Sequence, residues 1–333
     1  MKDIAKDLGV SVVTVSKVLR NHSDIGEETR ERVLKRVKEL DYRPNLTAQS
    51  LVTGRTFLVG LIVPDLVHSF FAEVARFLSN ALRQEGYYLV ISSSEEDPSL
   101  EEREIDQLLG RNLDALIIAS ASASPAIFRR IEEQQTPFVL IDRQFPGFPA
   151  NFVGVDDESV GRLATNHLIE NGSKRIAHLR GPESTPGVQR LAGYKHALQN
   201  SGLKFNPAYL LSPGNVDVDS LQQGYSAMKK LLAIEPRPDG VFCYNDPLAI
   251  GAIDCILDAG LRVPGDIAVI GCGNLHFNTS LRVSLSSVNQ HSRQIGECTA
   301  QLVLQMIKSK TPLPPRNIIV EAEVIARRST LRS

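Results

Sequence analysis

From Leu58 to Ile270 the chain alternates short apolar runs with longer amphipathic segments, and this alternation narrows the possible folds more than any other feature. Leu58–Val63, rich in β-branched residues, reads as a buried strand. Phe70 to Arg83 follows as an amphipathic helix, then a strand at Tyr87–Ser92. The pattern continues with helices at 100–110, 125–134, 158–171, 187–201, 218–233 and 247–259. Strands fall at Ala115–Ala119, Phe138–Ile141, Ile176–Leu179, near Tyr209–Leu211, at Gly240–Tyr244 and at Ile267–Ile270. Strands separated by single helices pair in parallel through right-handed crossovers, with helices on both faces. About ten such units are too many for one open sheet, so two α/β lobes are expected.

The first 56 residues have a different texture. Ile4, Ala5 and Leu8 form one apolar stripe, and Val10, Val15, Val18 and Leu19 another, with Gly9 at the turn between them. Ser11 stands at the N-cap position of the second helix, where its hydroxyl accepts from an early backbone N–H. Two short helices joined in this way read as a helix-turn-helix, whose second helix enters the DNA major groove. An αα-hairpin of some other small bundle is the alternative; the tight Gly9, the Ser/Thr-rich second helix and the N-terminal placement favour the first. Val12, Val13 and Lys17 would be exposed to bases, and the short hydroxyls of Ser11, Thr14 and Ser16 suit phosphates. Val33, Leu34, Val37 and Leu40 predict a third helix, opened by Glu27 and Glu28 and ended before Arg43-Pro44. Residues 45–53 and Gly54 read as a linker with weak helical character.

A chain of 333 residues exceeds the usual single domain. Its 42% hydrophobic and 23% charged content places it among soluble globular proteins rather than disordered or membrane-spanning ones. Net charge is −1, which offers no global attraction to nucleic acid. The distribution is uneven: residues 1–56 carry 11 Lys and Arg against 8 Asp and Glu, and the remainder 26 against 30. A basic head on an acidic body suits DNA binding through the head. Cys243, Cys255, Cys272 and Cys298 form no C-x-x-C pair and have no His cluster beside them, which argues for free thiols in a reducing compartment and against a metal site. No signal-peptide pattern opens the chain and no apolar run reaches the ~20 residues of a membrane helix, so a cytoplasmic location is expected.

Several polar residues fall at expected strand ends, where α/β proteins gather ligand-binding groups. Phe70 and Phe71 begin a helix after Pro64-Asp-Leu-Val-His-Ser; one suits the core and the other could stack on a ligand. Asp142, Arg143, Arg190, Asn245 and Asp246 offer a guanidinium fork and short acceptors suited to sugar-like hydroxyls. Singly each reads as a surface ion pair; together they suggest one cleft. Ile270-Gly-Cys-Gly-Asn274 fits only part of the dinucleotide pattern G-x-G-x-x-G, because His276 stands where the third glycine belongs. No nucleophile elbow, phosphate loop or zinc-protease motif is present, so neither an enzymatic reaction nor a cofactor is expected. His167 and His178 read as structural.

Nearly the whole chain, from Ile4 to Ala326-Arg-Arg-Ser-Thr330, resembles the bacterial LacI/GalR-type transcription regulators. The resemblance is carried by Val10-Ser-Val-Val-Thr-Val-Ser-Lys-Val-Leu19, Glu28-Thr-Arg30, Tyr42-Arg-Pro-Asn45, Ala48-Gln-Ser-Leu51 and Thr53-Gly-Arg-Thr56. Further along come Val63-Pro-Asp65, Phe70-Phe-Ala-Glu73, Ile141-Asp-Arg143, Gly154-Val-Asp156, Gly161-Arg-Leu-Ala164, Arg190-Leu-Ala-Gly193, Asn245-Asp246 and Val263-Pro-Gly-Asp-Ile267. It implies a helix-turn-helix head over 1–44, a hinge over 45–56 that forms a helix, and a periplasmic-binding-protein-like core. The core's N-terminal lobe would comprise 57–157 and 288–317, and its C-terminal lobe 158–287 and 318–333. It also implies a ligand-responsive repressor that binds a near-palindromic double-stranded operator as a homodimer, away from membranes, with a sugar or sugar-like effector between the lobes.

In that picture Val12, Val13 and Lys17 read bases, Leu51 wedges into the central minor groove, Thr29, Tyr42 and Asn45 contact phosphates, and Ala48 and Gln49 of the hinge belong to the DNA-binding surface. Asp65, Phe70, Phe71, Asp142, Arg143, Arg190 and Asn245 surround the effector. The family's usual G-[F/Y]-D-[D/N] is Gly271-Cys-Gly-Asn274 here, so the gripping Asp is absent and Asn274 or His276 is left to substitute. Lys17 replaces a common Arg and cannot make the bidentate fork to guanine, which implies a different operator. The chain shows no leucine-heptad tail, which favours a dimer over a tetramer. A transporter's sugar receptor without a DNA role is the rival reading.

Overall fold

A computed structural model of the 333-residue chain describes residues 1–19, 24–42, 50, 54–214 and 219–332. They divide into two compact units, Met1–Thr56 and Phe57–Ser333.

The first unit contains α1 (Lys2–Leu8), α2 (Val12–Leu19) and α3 (Glu27–Glu39). Ile4, Ala5, Val15, Val18 and Val33 make its core. Gly9 takes a left-handed conformation (φ 65°), which lets α1 stop while Val10 N–H reaches back to the Ala5 carbonyl. Ser11 Oγ accepts from Thr14 N–H at 3.0 Å, the capping bond expected of it. Arg36 on α3 donates to Asp7 of α1 at 2.5 Å, and Arg32 donates to the Leu8 carbonyl at the end of α1. Leu34 and Leu40 do not join the expected apolar stripe. Both are exposed, because a three-helix core this small buries little more of α3 than Val33 and part of Val37. Of the expected hinge, only Ser50 and residues 54–56 fall within the described residues.

The second unit holds two six-stranded sheets. The first is built from β1 (Leu58–Val63), β2 (Tyr88–Ser93), β3 (Ala115–Ile118), β4 (Phe138–Ile141), β5 (Asn151–Val155) and β11 (Asn317–Val320). Its order is β11-β5-β4-β3-β1-β2, all parallel. The second comprises β6 (Ile176–Leu179), β7 (Leu210–Leu211), β8 (Gly240–Cys243), β9 (Ala268–Cys272), β10 (Ser286–Asn289) and β12 (Glu323–Ile325), in the order β12-β10-β9-β8-β6-β7. It is parallel except where β12 runs against β10. These are the two α/β lobes.

Sheet membership moves two of the expected crossings. The boundary at 287/288 falls inside β10, which belongs wholly to the second sheet, and that at 317/318 falls inside β11, which belongs to the first. The chain therefore changes lobe after Asn289 and after Val320, with the first crossing between β5 and β6.

Helices cover the sheets: α4 (Ser69–Gln84), α5 (Pro98–Leu109) and α6 (Ala126–Glu133), then α7 (Asp157–Glu170), α8 (Thr185–Asn200), α9 (Ser220–Leu232), α10 (Asp246–Asp258) and α11 (Ser292–Lys308). Glycine sets one critical approach. A Cβ on Gly161 would lie 2.1 Å from the Arg190 carbonyl oxygen, and one on Gly193 would lie 2.0 Å from that of Glu158. These two glycines bring α7 and α8 together backbone to backbone, which fixes Asp157 and Arg190 side by side. No helix among the described residues is long and apolar enough to cross a membrane.

Candidate functional site

Two surfaces carry the residues singled out in the sequence. On the first unit, α2 presents Val12 and Val13, the latter 63% exposed, and Lys17 lies one turn beyond Val13. Ser11 and Thr14 hydroxyls also meet each other at 2.9 Å, so the N-terminus of α2 is internally capped. Ser16 and Thr29 are partly exposed; Tyr42 packs on the head core while its N–H bonds the Val37 carbonyl. The Lys17 ammonium is held by the Asp24 carboxylate. Asn45, Ala48, Gln49 and Leu51 lie outside the described residues.

On the second unit, the C-terminal strand ends of both lobes converge. His68, Phe70, Phe71, Asp142, Arg190, Tyr244, Asn245, Cys272, Leu275 and Gln290 line one cavity of about 20 Å³. That is room for about one water molecule, against several hundred Å³ for a typical ligand pocket. Aromatic rings fill the remainder: Phe70 and Phe71 meet edge to face at 5.2 Å, and His68 lies 5.4 Å from Phe71. Contacts between the lobes close the cavity. Asn245 Nδ2 meets His68 Nε2 at 3.3 Å, and Thr185 Oγ1 accepts from Gln144 N–H at 3.1 Å.

The charged groups are already paired to differing degrees. Arg190 Nε donates to Asp157 at 2.8 Å, Nη1 donates to the Tyr244 carbonyl at 2.8 Å, and the guanidinium lies over the Tyr244 ring. Asp142 sits just past the end of β4 in a left-handed conformation (φ 62°), a backbone state uncommon outside turns and sites. Its carboxylate is 3.8 Å from Arg143 Nε and borders the cavity. Burial raises the Asp142 carboxyl above its usual range, with Arg143 and Arg190 pulling against it. Burial likewise pushes Asp157 up to about 7, opposed by Arg190. Burial lowers His68 to about 4, helped by the positive charges of Arg143 and Arg190. The Cys272 thiol, donating to Gln290 Oε1 at 3.4 Å, is pushed up to about 12 by burial and stays protonated.

Four expected ligand residues lie elsewhere. Arg143 is turned away into a two-pronged pair with Glu96 (3.0 and 2.5 Å) and a bond to the Ser120 carbonyl. Asp65 turns back on its own loop, accepting from Val67 N–H at 2.9 Å, and borders a separate groove with Leu66 and Ile91. Asn274 is held by Arg327 at 2.6 Å. His276 is exposed and meets Glu73 at 3.4 Å. Neither replaces the missing Asp in the cavity. Asp246 supports the loop that carries them, accepting from Leu275 N–H, Asn278 Nδ2 and Ser287 Oγ. The sequence reading missed His68, Tyr244, Cys272 and Gln290 as cavity residues. Tyr244, Cys272 and Gln290 lie at or just past the ends of β8, β9 and β10, so the strand-end rule could have found them. Among the described residues no cluster of His, Cys, Asp and Glu could hold a metal ion.

Comparison with known proteins agrees with this two-part plan. Residues 1–45 match the model of bacterial regulatory proteins of the lacI family, and residues 56–328 match that of periplasmic binding proteins and the sugar-binding domain of the LacI family. The chain belongs to the LacI family. It is 33% identical to the transcriptional repressor PurR of Aliivibrio fischeri strain MJ11, over 99% of this chain and 98% of that protein. It is 31% identical to catabolite control protein A of Priestia megaterium, over 93% and 92% respectively. Among solved structures, the lac repressor dimer bound to operator and an anti-inducer superposes with a TM-score of 0.86 at 25% identity, covering 99% of this chain and 98% of that one. The complex of the regulator CelR with cellobiose gives 0.75 at 30% identity, with 98% coverage of both chains. As a LacI-family member the chain is a DNA-binding transcriptional regulator, and its relatives are regulators rather than enzymes.

Proposed function

We propose that this regulator is a cytoplasmic, homodimeric repressor whose affinity for a near-palindromic operator responds to a neutral, polyhydroxyl effector bound between the lobes. The observation that carries the effector reading is the pairing of charges around the cavity. Arg190 is engaged by Asp157 and Arg143 by Glu96, while Asp142 borders the cavity as an acceptor. An anion would find no cation unclaimed by a carboxylate there, whereas hydroxyl donors match Asp142, Asn245 and Gln290 and a ring face matches Phe70 or Phe71. CelR in complex with cellobiose, a similar protein, agrees with a sugar ligand.

A cavity of about 20 Å³ must enlarge to admit even one sugar ring, so binding requires the lobes to part and the bonds between them to exchange. That coupling gives ligand a differential grip on two states of the core. For DNA, α2 offers Val12, Val13 and Lys17 to bases, and Leu51 of the hinge would enter the minor groove. The exposed Leu66, Val67, Tyr88 and Ile91 support pairing with a second copy, consistent with the dimeric state of the similar lac repressor structure.

The test is selection from a random duplex pool followed by thermal unfolding against neutral sugars, sugar acids, sugar phosphates and nucleosides. An enriched site with two inverted halves, and a melting shift of several degrees with a neutral sugar, are expected. No enriched site would refute the operator reading, and a shift confined to acids or phosphates would refute the neutral effector.

A further inference from the structure

The ion pair on the recognition helix carries an inference that deepens, and rests on, the DNA-binding reading above. Lys17 lies in the last turn of α2, four residues after Val13 and so on the same exposed stripe. Asp24 precedes α3 and holds the Lys17 ammonium, with the two side chains 37% and 54% exposed. The pair's setting differs from that of Arg36–Asp7, another long-range ion pair of the head. Arg36–Asp7 joins two helices, α3 to α1, and sits away from Val12 and Val13 in the chain. Lys17–Asp24 instead places a carboxylate beside the residue best placed to reach a base.

We propose that Asp24 sets the DNA affinity of the head: it competes with DNA for Lys17, so that the ion pair must break before the ammonium meets either a phosphate or a base edge. On random DNA the ammonium exchanges a carboxylate for a phosphate, an even trade. At a site presenting guanine O6 and N7, the ammonium gains acceptors in the major groove that random sequence supplies only by chance. Breaking the pair costs the same on either duplex, so the carboxylate lowers binding to both alike and leaves discrimination to the base contacts.

The experiment measures binding of the full-length protein to its selected duplex and to a scrambled duplex across a salt series. It compares wild type, Asp24→Asn, Lys17→Ala and the double variant, with thermal unfolding of each. Asp24→Asn is expected to tighten binding to the scrambled and the selected duplex by the same factor, about threefold to fivefold, leaving their ratio unchanged. It should steepen the salt dependence by about one unit of slope, as one further counterion is released. In the Lys17→Ala background the same substitution should change binding by less than about twofold, because the contest it relieves is gone.

A gain of that size that persists in the Lys17→Ala background would overturn the proposal, since Asp24 would then act through its field alone. So would binding that Asp24→Asn leaves unchanged, or a variant altered in melting temperature but not in binding to either duplex, which would make the pair a structural tie. A wild type that binds no duplex even at low salt would overturn the DNA-binding reading and this inference with it.

Discussion

Lys17 and Arg190 each hold an aspartate, one pair exposed to solvent and the other buried. Lys17–Asp24 stands in water on the head, while Arg190 and Asp157 are only 3% and 4% exposed inside the core. An exposed pair contributes about 0–1 kcal/mol and can be broken without loss of fold. A buried pair has given up its hydration and has no substitute for its partner. The head can therefore use Lys17 as an exchangeable contact, whereas Arg190 shapes the cavity walls and is unavailable to a ligand as a free charge. In the reading proposed above, DNA would be recognised by groups that can change partner and effector on a scaffold that cannot, with Asp142 and the amides left to meet the ligand.

The largest effect is expected from removing Arg190. Arg190→Ala leaves Asp157 buried without its cation and should lower core stability by about 3–5 kcal/mol near neutral pH, read by denaturant unfolding. A loss under 1 kcal/mol would mean the pair is solvated. His68 gives a pH signature. Its pKa is about 4 in the folded core and 6.5 when unfolded, so its neutral burial supports folding fully above pH 6.5 and progressively less as pH falls toward 4. The stability advantage of wild type over His68→Asn should shrink by up to about 3 kcal/mol across that interval. A constant difference would contradict the burial of His68.

Lys17→Ala should cost about 1–3 kcal/mol of binding to the selected duplex while leaving melting unchanged, sharpening the contrast with Arg190. An equal loss on scrambled DNA would reduce Lys17 to a phosphate contact. Smallest is Ser11→Ala, which removes the cap of α2 and should destabilise the head by about 1 kcal/mol without altering the effector core, as separate head and core unfolding transitions would show. A shift in both transitions would indicate that the cap acts beyond the head.

Much of the scaffold was readable from local rules. Gly9 and Ser11 marked the turn and cap of the helix-turn-helix, and apolar periodicity placed most helices and strands of both lobes. The misses have physical causes. Asn151–Val155 gives no clear strand signal, because Asn and Gly interrupt its apolar run, yet it is fully buried as β5. The tie between β12 and β10 is a pairing of distant segments with no local signal. In the site, Asp142 and Arg143 are neighbours with opposite fates. Asp142 borders the cavity, while Arg143 turns to Glu96, 47 residues earlier in the chain, a contact that strand-end position does not encode. His276 and Asn274 were expected to replace a missing carboxylate, but the Asp246 network and Arg327 hold their loop so that both lie outside the cavity.

Ligand in the cleft is proposed to change how the head holds DNA. The direct measurement is the affinity of the full-length protein for its selected duplex, with and without saturating amounts of the neutral sugar that shifts its melting. A change of fivefold or more in either direction is predicted, corresponding to the coupling of about 1 kcal/mol or more that allosteric proteins show. Identical affinity with the sugar demonstrably bound would contradict the account.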